Sequence, residues 1–337
     1  MRPPAELVSA LLGAHKVALF THINPDGDGL GSQAALAPAL KALGKRVVIA
    51  NSHPTPAQYA FLGLDAFAGT DADAADADLV VSLDCPVLER LGPLAKEAFA
   101  KSGRRMVMDH HVAKAAFGDW SWIETGAAAT GEMMEALLPE LGVEVTPAMA
   151  TGMYTALVND TGCFRHSNTD AFTFGAAMRL LQRGADSRDV TRRMLEERPL
   201  RQVRLQARVM DGLRPLAGGR AALVAVGAAD LAAFSATWED TDGLAEDLRS
   251  IEGVEVGAML REEGPQAVKL SLRSKYGFDA NVFAGRWGGG GHAKAAGATL
   301  RMTLAQAIAE VSEGLTRELA RQPGPPGAAG SGVGPRA

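Results

Sequence analysis

Cysteine is scarce and positive charge is in deficit in this chain of 337 residues. Its only two cysteines, Cys85 and Cys163, form no CxxC pair, which argues against a disulfide-stapled scaffold and favours a reducing compartment. The formal net charge of −5 argues against a protein that holds long nucleic acid through a basic surface. No apolar run approaches the length that crosses a bilayer, and no basic segment leads into an apolar run at the N-terminus. We therefore expect a cytoplasmic protein without a membrane span or a signal peptide.

Length and composition point to more than one globular domain. The chain is longer than an ordinary single domain, and 47% of its residues are hydrophobic, which is enough for a sizeable core. Its patterns predict a first domain at 1–186, a helical connector at 187–214 and a second domain at 215–322. The remaining residues, 323–337, are rich in proline, glycine and alanine, and we predict that they are disordered.

The first domain alternates short apolar runs with helical patterns. Apolar runs of strand length lie at 17–20, 47–50, 79–83 and 105–108, and helical patterns lie at 31–43, 130–138 and 147–158. A βαβα order of this kind predicts an α/β fold with a mostly parallel sheet and helices on both of its faces. Ligands of such sheets bind beyond the carboxyl ends of the strands.

The pattern changes after residue 170. Three helices are predicted at 171–183, 188–197 and 200–213, and the many arginines of 187–214 fit either an interdomain connector or a solvated charged face. Predicted strands then lie at 221–226, 254–261 and 267–273, and predicted helices at 243–251 and 304–320. This part of the chain therefore predicts a smaller α/β domain.

The first predicted strand runs into a polar segment that contains His22, Asp26 and Asp28. Pro25 stiffens the turn, and the glycines allow a tight backbone path close to a ligand. The helix that opens at Gly31 offers free amides to an anion. The alternative is an Asp/Gly-rich turn with an incidental histidine.

Three further segments carry residues of the same types. Asp84 and the sequence Asp109-His110-His111 follow strand-like runs, and Asp160 ends an apolar helix. Taken singly, each has an ordinary explanation. Asp84 would be a turn former, the histidine pair would belong to a loop, and Asp160 would be part of a helix C-terminal cap.

The four segments converge on one chemistry because three of them end strands of one predicted sheet. Their combined candidate ligands are His22, Asp26, Asp28, Asp84, His110 and Asp160. The four carboxylates of this set carry a charge of −4, which balances two divalent cations at +4, and one carboxylate would have to bridge the ions. Oxygen and imidazole ligands without thiolate favour Mn²⁺ or Mg²⁺, and two such ions can activate a water and stabilise charge on a phosphoryl oxygen. The sequence therefore predicts a two-metal hydrolytic site.

A glycine-rich segment of the second domain is a candidate substrate site. It consists of Gly288, Gly289, Gly290, Gly291 and His292. Consecutive glycines can present backbone amides to a phosphate, and His292 adds a donor. Arg273 and Lys275 could supply cations to the same group. The segment is not a Walker A loop, and a flexible loop is the alternative interpretation.

These motifs, in this order, resemble those of the DHH/DHHA1 phosphoesterases. The matching elements are HxxPDxDxxGS, a lone Asp, DHH, DTG and the glycine-rich GGGGH segment, and the resemblance covers residues 10–320 approximately. Within that superfamily the chain looks like the short bacterial nanoRNases, which combine oligoribonuclease and phosphoadenosine-phosphate phosphatase activities. Family II pyrophosphatases share the first motifs but not the glycine-rich segment.

The resemblance implies a role for each candidate residue. One Mn²⁺ would be held by His22, Asp26 and Asp84. The other would be held by Asp28, Asp84, His110 and Asp160, so that Asp84 bridges the ions. Mg²⁺ is the alternative metal. His111 would contact the scissile phosphate while Asp109 orients its neighbours, and Arg273, Lys275 and residues 288–292 would bind substrate.

The leading hypothesis is a Mn²⁺-dependent enzyme that cleaves short RNA oligonucleotides to mononucleotides and removes phosphate from 3′-phosphoadenosine 5′-phosphate (pAp). The expected partners are short RNA, dinucleotides and pAp, without a membrane or long duplex nucleic acid, and a homodimer is left open. Alternatives are a linear or cyclic dinucleotide phosphodiesterase, an inorganic pyrophosphatase and a non-catalytic nucleotide-binding regulator. The complete ligand set argues against a regulator that has lost its activity.

Overall fold

The computed structural model of the chain describes residues 1–112 and 117–322, apart from the side chain of Asp71. The chain forms two compact units that divide after Glu197. This division falls inside the segment 187–214, which the sequence predicts to be a connector, and the predicted domain boundaries stay a prediction. The tail predicted to be disordered, 323–337, lies outside the described residues.

Among the described residues, the first unit is built on a five-stranded sheet in which neighbouring strands pair in parallel. Its strands, in sheet order, are β2 (Arg46–Ile49), β1 (Lys16–Phe20), β3 (Leu79–Leu83), β4 (Arg105–Asp109) and β5 (Trp120–Ile123). The predicted α/β class with a parallel sheet is confirmed. The sequence pattern misses β5, because its four residues form no continuous apolar run.

Helices cover both faces of this sheet, as predicted. They are α1 (Ala5–Gly13), α2 (Gly27–Ala42), α3 (Asp71–Ala75), α4 (Gly92–Lys101), α5 (Thr130–Glu140), α6 (Pro147–Asp160), α7 (Ala171–Gln182) and α8 (Ser187–Thr191). Val17 and Leu19 of β1 pack in the same core cluster as α2, α5 and α6, whereas Ala18 and Phe20 pack in the cluster of α4. Because side chains alternate between the faces of a strand, β1 is buried at every residue.

Helix α2 begins at Gly27, earlier than the helical pattern predicts. The carboxylate of Asp26 accepts hydrogen bonds from the amides of Asp28 at 3.0 Å and Gly29 at 3.3 Å, so Asp26 caps the helix. The cap overrides the low helix propensity of the two glycines in the first turn. Asp28 therefore lies on the helix rather than in the loop before it.

The described part of the second unit contains a six-stranded mixed sheet. Its strands, in sheet order, are β10 (Gly290–His292), β11 (Ala295–Leu300), β9 (Ala267–Ser274), β8 (Val256–Gly264), β7 (Ala221–Val226) and β6 (Arg214–Leu216). Its helices are α9 (Leu200–Asp211), α10 (Ala228–Phe234), α11 (Leu244–Ser250), α12 (Ala280–Ala284) and α13 (Leu304–Ala320). Val268, Leu270 and Leu272 of β9 pack with α13, and the residues that alternate with them along β9 are half-buried. The predicted smaller α/β domain is confirmed.

Short elements account for most differences between the predicted and the observed secondary structure. β11, with the sequence AAGATL, has small residues where a strand usually carries bulky ones, so its pattern gives no signal. The helix predicted at 188–197 is α8 followed by a π-helical turn at Arg192–Glu196. No helix among the described residues is long and apolar enough to cross a membrane.

Two glycines allow α2 and α6 to pack at very short range. A Cβ on Gly31 would lie 2.3 Å from the carbonyl oxygen of Gly152, and a Cβ on Gly152 would lie 2.8 Å from the carbonyl oxygen of Gly31. Helix α2 carries Asp28 and α6 ends at Asp160. This backbone contact therefore sets the spacing between two of the predicted metal ligands.

We expect Gly31→Ala to destabilise the first unit, because the new methyl group would force α2 and α6 apart. Overpacking typically costs about 1–3 kcal/mol, and the gain in helix propensity offsets about 1 kcal/mol at most. The free energy of unfolding in urea measures the effect. Gly103→Ala is the control, since a Cβ on Gly103 would meet no described atom within 4 Å. Equal stabilities of the two variants would contradict the close helix contact.

Candidate metal centre

Polar side chains that follow three strands of the first unit meet at one edge of its sheet. β1, β3 and β4 are parallel neighbours, so their carboxyl ends lie side by side. His22 follows β1 after one intervening residue, Asp84 directly follows β3, and His110 directly follows β4. The structure therefore brings the three strand-end residues together, as the sequence predicts.

Helix termini hold a fourth candidate ligand at the same edge. Asp28, in the first turn of α2, is fully buried. Its Oδ2 accepts the amide of Thr130 at 2.7 Å, and its Oδ1 accepts the amide of Gly131 at 2.9 Å. These two residues open α5, so the partial positive charge of that helix N-terminus faces the buried carboxylate. The hydroxyl of Ser32 also donates to Oδ1 at 3.4 Å, so the fold holds Asp28 through two backbone amides and one side chain.

The first group of candidate ligands consists of His22, Asp26 and Asp84. The Nε2 atom of His22 lies 3.7 Å from Asp26 Oδ2 and 3.5 Å from Asp84 Oδ2. The Nδ1 atom of the same ring is 2.9 Å from the carbonyl oxygen of Ile23. Because a carbonyl can only accept, Nδ1 carries the proton of this contact and Nε2 is the atom directed at the carboxylates.

The second group consists of Asp28, His110 and Asp160. The Nε2 atom of His110 lies 2.9 Å from Asp160 Oδ2, 3.5 Å from Asp28 Oδ2 and 3.7 Å from Asp84 Oδ1. Its Nδ1 atom contacts the carbonyl oxygen of Ala127 at 3.1 Å. Asp84 therefore turns Oδ2 toward His22 and Oδ1 toward His110, which is the arrangement of a bridging carboxylate.

The chemistry and spacing of these atoms fit divalent cations. All the donors are carboxylate oxygens or imidazole nitrogens, the set that suits Mn²⁺ or Mg²⁺. Adjacent ligands at about 2.1 Å from an octahedral ion would be about 3 Å apart, close to the distances measured here. Nε2 of His110 is buried and has no hydrogen bond of acceptable geometry to a described residue, although Asp160 is near. A bound cation would be coordinated by the lone pair of this nitrogen.

Burial and close charges shift the pKa values in this cluster strongly. Burial, with repulsion from Asp84 and other carboxylates, raises the pKa of Asp28. Burial alone would also raise the pKa of Asp84, but the contacts with His111 and His22 hold that pKa well below its usual range. Burial alone would lower the pKa of His22, but hydrogen bonds to Asp26 and Asp84 raise it to about 11. Protonated histidines thus offset the carboxylate charge, and a bound cation would take the place of these protons.

The backbone turns sharply at Asp84. Its φ of 58° is in the left-handed region, which aspartate and asparagine adopt more readily than most other residues with a side chain. The amide of Asp84 donates to Met108 O at 3.0 Å, and the hydroxyl of Thr130 donates to Asp84 Oδ1 at 3.3 Å. Sequence reasoning missed Thr130, because no local pattern links it to a strand end 46 residues away.

His111 lies beside the candidate ligands and is held by Asp109. The ring Nδ1 of His111 is 2.8 Å from Asp109 Oδ1, and the His111 amide donates to the same oxygen at 3.0 Å. Burial alone would lower the pKa of His111, but Asp109 and Asp84 raise it to about 11. These two residues, with Asp84 and His110, also form a group close enough to hold an ion. Because the hydrogen bond to buried Asp109 occupies Nδ1 of His111, we favour the other two groups.

The glycine-rich segment of the second unit ends in the edge strand β10, which begins at Gly290. Three of its amides donate within the unit: Gly288 to Gly285 O at 3.1 Å, Gly289 to Ala284 O at 3.1 Å and Gly291 to Asn281 Oδ1 at 3.0 Å. These three amides therefore have partners within the unit, and binding of a phosphate by the segment stays a prediction.

Close packing accounts for two of the four glycines. A Cβ on Gly289 would lie 2.2 Å from Gly297 O. A Cβ on Gly291, which has a φ of 147°, would lie 2.5 Å from Ala295 O. Backbone proximity to β11 therefore requires glycine at these two positions.

Arg273 and His292 lie on strands that flank β11. Both pair with Ala295, Arg273 from β9 and His292 from β10, so all three occupy one row across the sheet. The guanidinium Nε of Arg273 forms an ion pair with Glu246, and Lys275 Nζ donates to Ile251 O at 3.4 Å. The structure shows that Arg273 and His292 share this row. Substrate binding by Arg273, Lys275 and His292 stays a prediction.

Comparison with known proteins finds two family models, and each matches one of the two units. A family model described as "DHH family, N-terminal domain" matches residues 16–157, and one described as "DHHA1 domain" matches residues 221–320. A bifunctional oligoribonuclease and PAP phosphatase NrnA from Thermus thermophilus is 34% identical over 322 residues, which cover 95% of each chain.

Solved structures share the fold. The crystal structure of an exopolyphosphatase-related protein from Bacteroides fragilis matches with a TM-score of 0.88 at 23% identity and covers 94% of this chain and 97% of its own. RecJ from Thermus thermophilus in complex with Mn²⁺ matches with a TM-score of 0.54 at 18% identity and covers 95% of this chain and 55% of its own. Identities this low establish similarity of fold alone.

We expect Asp84→Asn to weaken binding of both Mn²⁺ ions more than about a hundredfold, since loss of an outer partner alone costs about 10- to 100-fold. Asparagine keeps the shape and tolerates the left-handed backbone, but it removes the charge that faces both histidines. Calorimetric titration with Mn²⁺ measures the affinities, and thermal unfolding in EDTA checks the fold. Asp65→Asn, at an exposed position, is the control. Near-normal Mn²⁺ affinity in Asp84→Asn would remove Asp84 from the metal site.

Proposed function

The chain belongs to the DHH/DHHA1 family of phosphoesterases, and from this premise we propose that it is a two-metal hydrolase of short RNA oligonucleotides and of pAp. The related protein from Thermus thermophilus is named as an oligoribonuclease and PAP phosphatase. The observation that carries the proposal is the orientation of Asp84, which has one oxygen toward His22 and the other toward His110. A shared carboxylate suits two cations that act on the same phosphate group.

The proposed ion is Mn²⁺, with Mg²⁺ as the alternative. The residues proposed to hold one cation are His22, Asp26 and Asp84. Those proposed to hold the other are Asp28, Asp84, His110 and Asp160. RecJ from Thermus thermophilus, which has a similar fold, was crystallised with Mn²⁺. When bound, such a pair supplies a water nucleophile at neutral pH and neutralises charge on a phosphoryl oxygen.

The protein's own residues prepare the site for this chemistry. Backbone carbonyls hold the Nδ1 atoms of His22 and His110, so both rings keep their Nε2 atoms directed inward. We propose that His111 donates a hydrogen bond to the phosphoryl group and stabilises the charge that develops there. Buried Asp109 fixes the ring and favours its protonated form. The barrier would fall because these donors need no reorganisation during the reaction.

The second unit is proposed to hold the part of the substrate away from the scissile bond. Arg273, Lys275 and residues 288–292 are the proposed contacts. The ion pair with Glu246 engages Nε of Arg273, and a guanidinium has further donors for a phosphate. Short substrates agree with the net charge of −5, since long nucleic acid needs many basic contacts. A homodimer is left open, and cytoplasmic location stays a prediction.

We expect Mn²⁺-dependent release of AMP from the dinucleotide pApA and of phosphate from pAp, because both place an ester phosphate next to a nucleoside. The test is product release from pApA, pAp, cyclic di-AMP and pyrophosphate, each with Mn²⁺ and with EDTA. Asp84→Asn, purified in parallel, controls for contaminating phosphatases.

Each other outcome of that panel selects a different function. Hydrolysis of pyrophosphate alone would replace the proposal with a pyrophosphatase. Cleavage confined to cyclic di-AMP would indicate a cyclic-dinucleotide phosphodiesterase. Nucleotide binding without any turnover would indicate a regulator.

We expect His111→Gln to lower kcat by about 10²- to 10³-fold, the usual cost of losing one transition-state donor, while Mn²⁺ affinity stays unchanged. Glutamine retains a polar group beside Asp109 but has no ionisable proton. Single-turnover kinetics on pApA and Mn²⁺ titration measure the two effects. His15→Gln, at an exposed position, is the control. A collapse of Mn²⁺ affinity in His111→Gln would make His111 a metal ligand.

A further inference from the structure

The carboxylate of Asp160 has two oxygens in different surroundings. Its Oδ2 lies 2.9 Å from Nε2 of His110, inside the second group of candidate ligands. Its Oδ1 accepts a hydrogen bond from the side-chain amide of Asn159 at 3.0 Å. Asp160 is the last residue of α6. The amide of Asn159 is therefore a contact that selects which oxygen faces His110.

Tyr59 orients that amide from a distant part of the chain. Its hydroxyl is 3.1 Å from Asn159 Oδ1, although the two residues are 100 positions apart. Tyr59 lies in a 3-10 helix at Ala57–Leu62 and is only 4% exposed. A carboxylate can only accept, so the NH₂ group of Asn159 must face Asp160 and its oxygen must face Tyr59. The tyrosine hydroxyl is then the donor, and the direction of both hydrogen bonds is determined.

Gly27 provides the space that Asn159 occupies. A Cβ on Gly27 would lie 2.9 Å from Asn159 Cβ and 3.0 Å from its Oδ1. Gly27 lies between Asp26 and Asp28, each of which belongs to one of the two ligand groups. The side chain of Asn159 is therefore packed against the turn that carries these two ligands.

We propose that Tyr59 and Asn159 are positioning residues that act through Asp160: the tyrosine hydroxyl orients the asparagine amide, and the amide directs Asp160 Oδ2 toward the second cation. The proposal rests on the metal site proposed above. Rotation of a carboxylate about its last side-chain bond is otherwise broad, so the contact lowers the entropy lost when a cation binds. Neither residue needs to touch the substrate.

The first test compares two tyrosine variants that each lose one hydroxyl. Tyr59→Phe removes the donor to Asn159, whereas Tyr154→Phe removes the hydroxyl of another buried tyrosine, on α6. We expect Tyr59→Phe to weaken binding of one of the two Mn²⁺ ions by about three- to tenfold, less than direct loss of an outer partner of a ligand. We expect Tyr154→Phe to bind both ions as the wild type does. Calorimetric titration with Mn²⁺ measures the affinities, and excess Mn²⁺ should restore kcat in Tyr59→Phe.

The second test is a double-mutant cycle with Asn159→Leu, a replacement of similar size that can neither donate nor accept. This variant alone should weaken binding of the same ion by about 10- to 100-fold. In its background, Tyr59→Phe should produce no further change in Mn²⁺ affinity if the tyrosine acts on the metal site through the amide. Thermal unfolding in EDTA checks that each variant is folded and separates effects on stability from effects on metal binding.

The outcomes distinguish failure of this inference from failure of the proposed function. Wild-type protein that binds no Mn²⁺ would contradict the metal site itself. Two bound ions in the wild type, with equal affinities in Tyr59→Phe and Tyr154→Phe, would overturn the positioning role alone. Additive losses of Mn²⁺ affinity in the cycle would also overturn it, since they would mean that Tyr59 acts independently of Asn159.

Discussion

The compensation of like charge at one sheet edge is the constraint on which the rest of the first unit depends. Asp28 and Asp84 are buried, and Asp160 offers an oxygen within 4.8 Å of one from Asp28. Two carboxylates at that separation repel by roughly 3–4 kcal/mol at an effective dielectric constant of 20. Histidine protons offset this repulsion in part, and two divalent cations would offset it fully. The proposed metal site would therefore explain why the fold keeps these carboxylates together.

The supporting contacts hold the ligands without relying on an ion. The N-terminus of α5 binds Asp28 through two amides, and Asp26 caps α2 through its own carboxylate. Backbone carbonyls fix the rings of His22 and His110. The Gly31–Gly152 contact then fixes the separation of α2 and α6. Because these side chains are largely ordered in advance, the protein would lose little side-chain entropy when a cation binds.

In the second unit, glycines determine how the edge strands pack. Its glycines permit β10 to lie directly against β11, and the sheet then places Arg273 and His292 in one row. A row of two donor side chains is compatible with the proposed contact to an anionic part of the substrate. The chemistry of hydrolysis and the proposed holding of the substrate are thus assigned to separate units.

The sequence by itself determined the α/β class and the six candidate ligands, because both depend on local signals: apolar runs with polar residues at their ends. It could not show β5, which is short, or β11, which consists mostly of small residues, because neither gives such a signal. It also could not show β10, the strand that contains Gly291. Only the tertiary structure decided which oxygen of Asp84 faces which histidine. It alone also brought Thr130 to Asp84 across 46 residues and Tyr59 to Asn159 across 100. Contacts of that kind arise from packing between distant elements, and no periodicity of the chain records them.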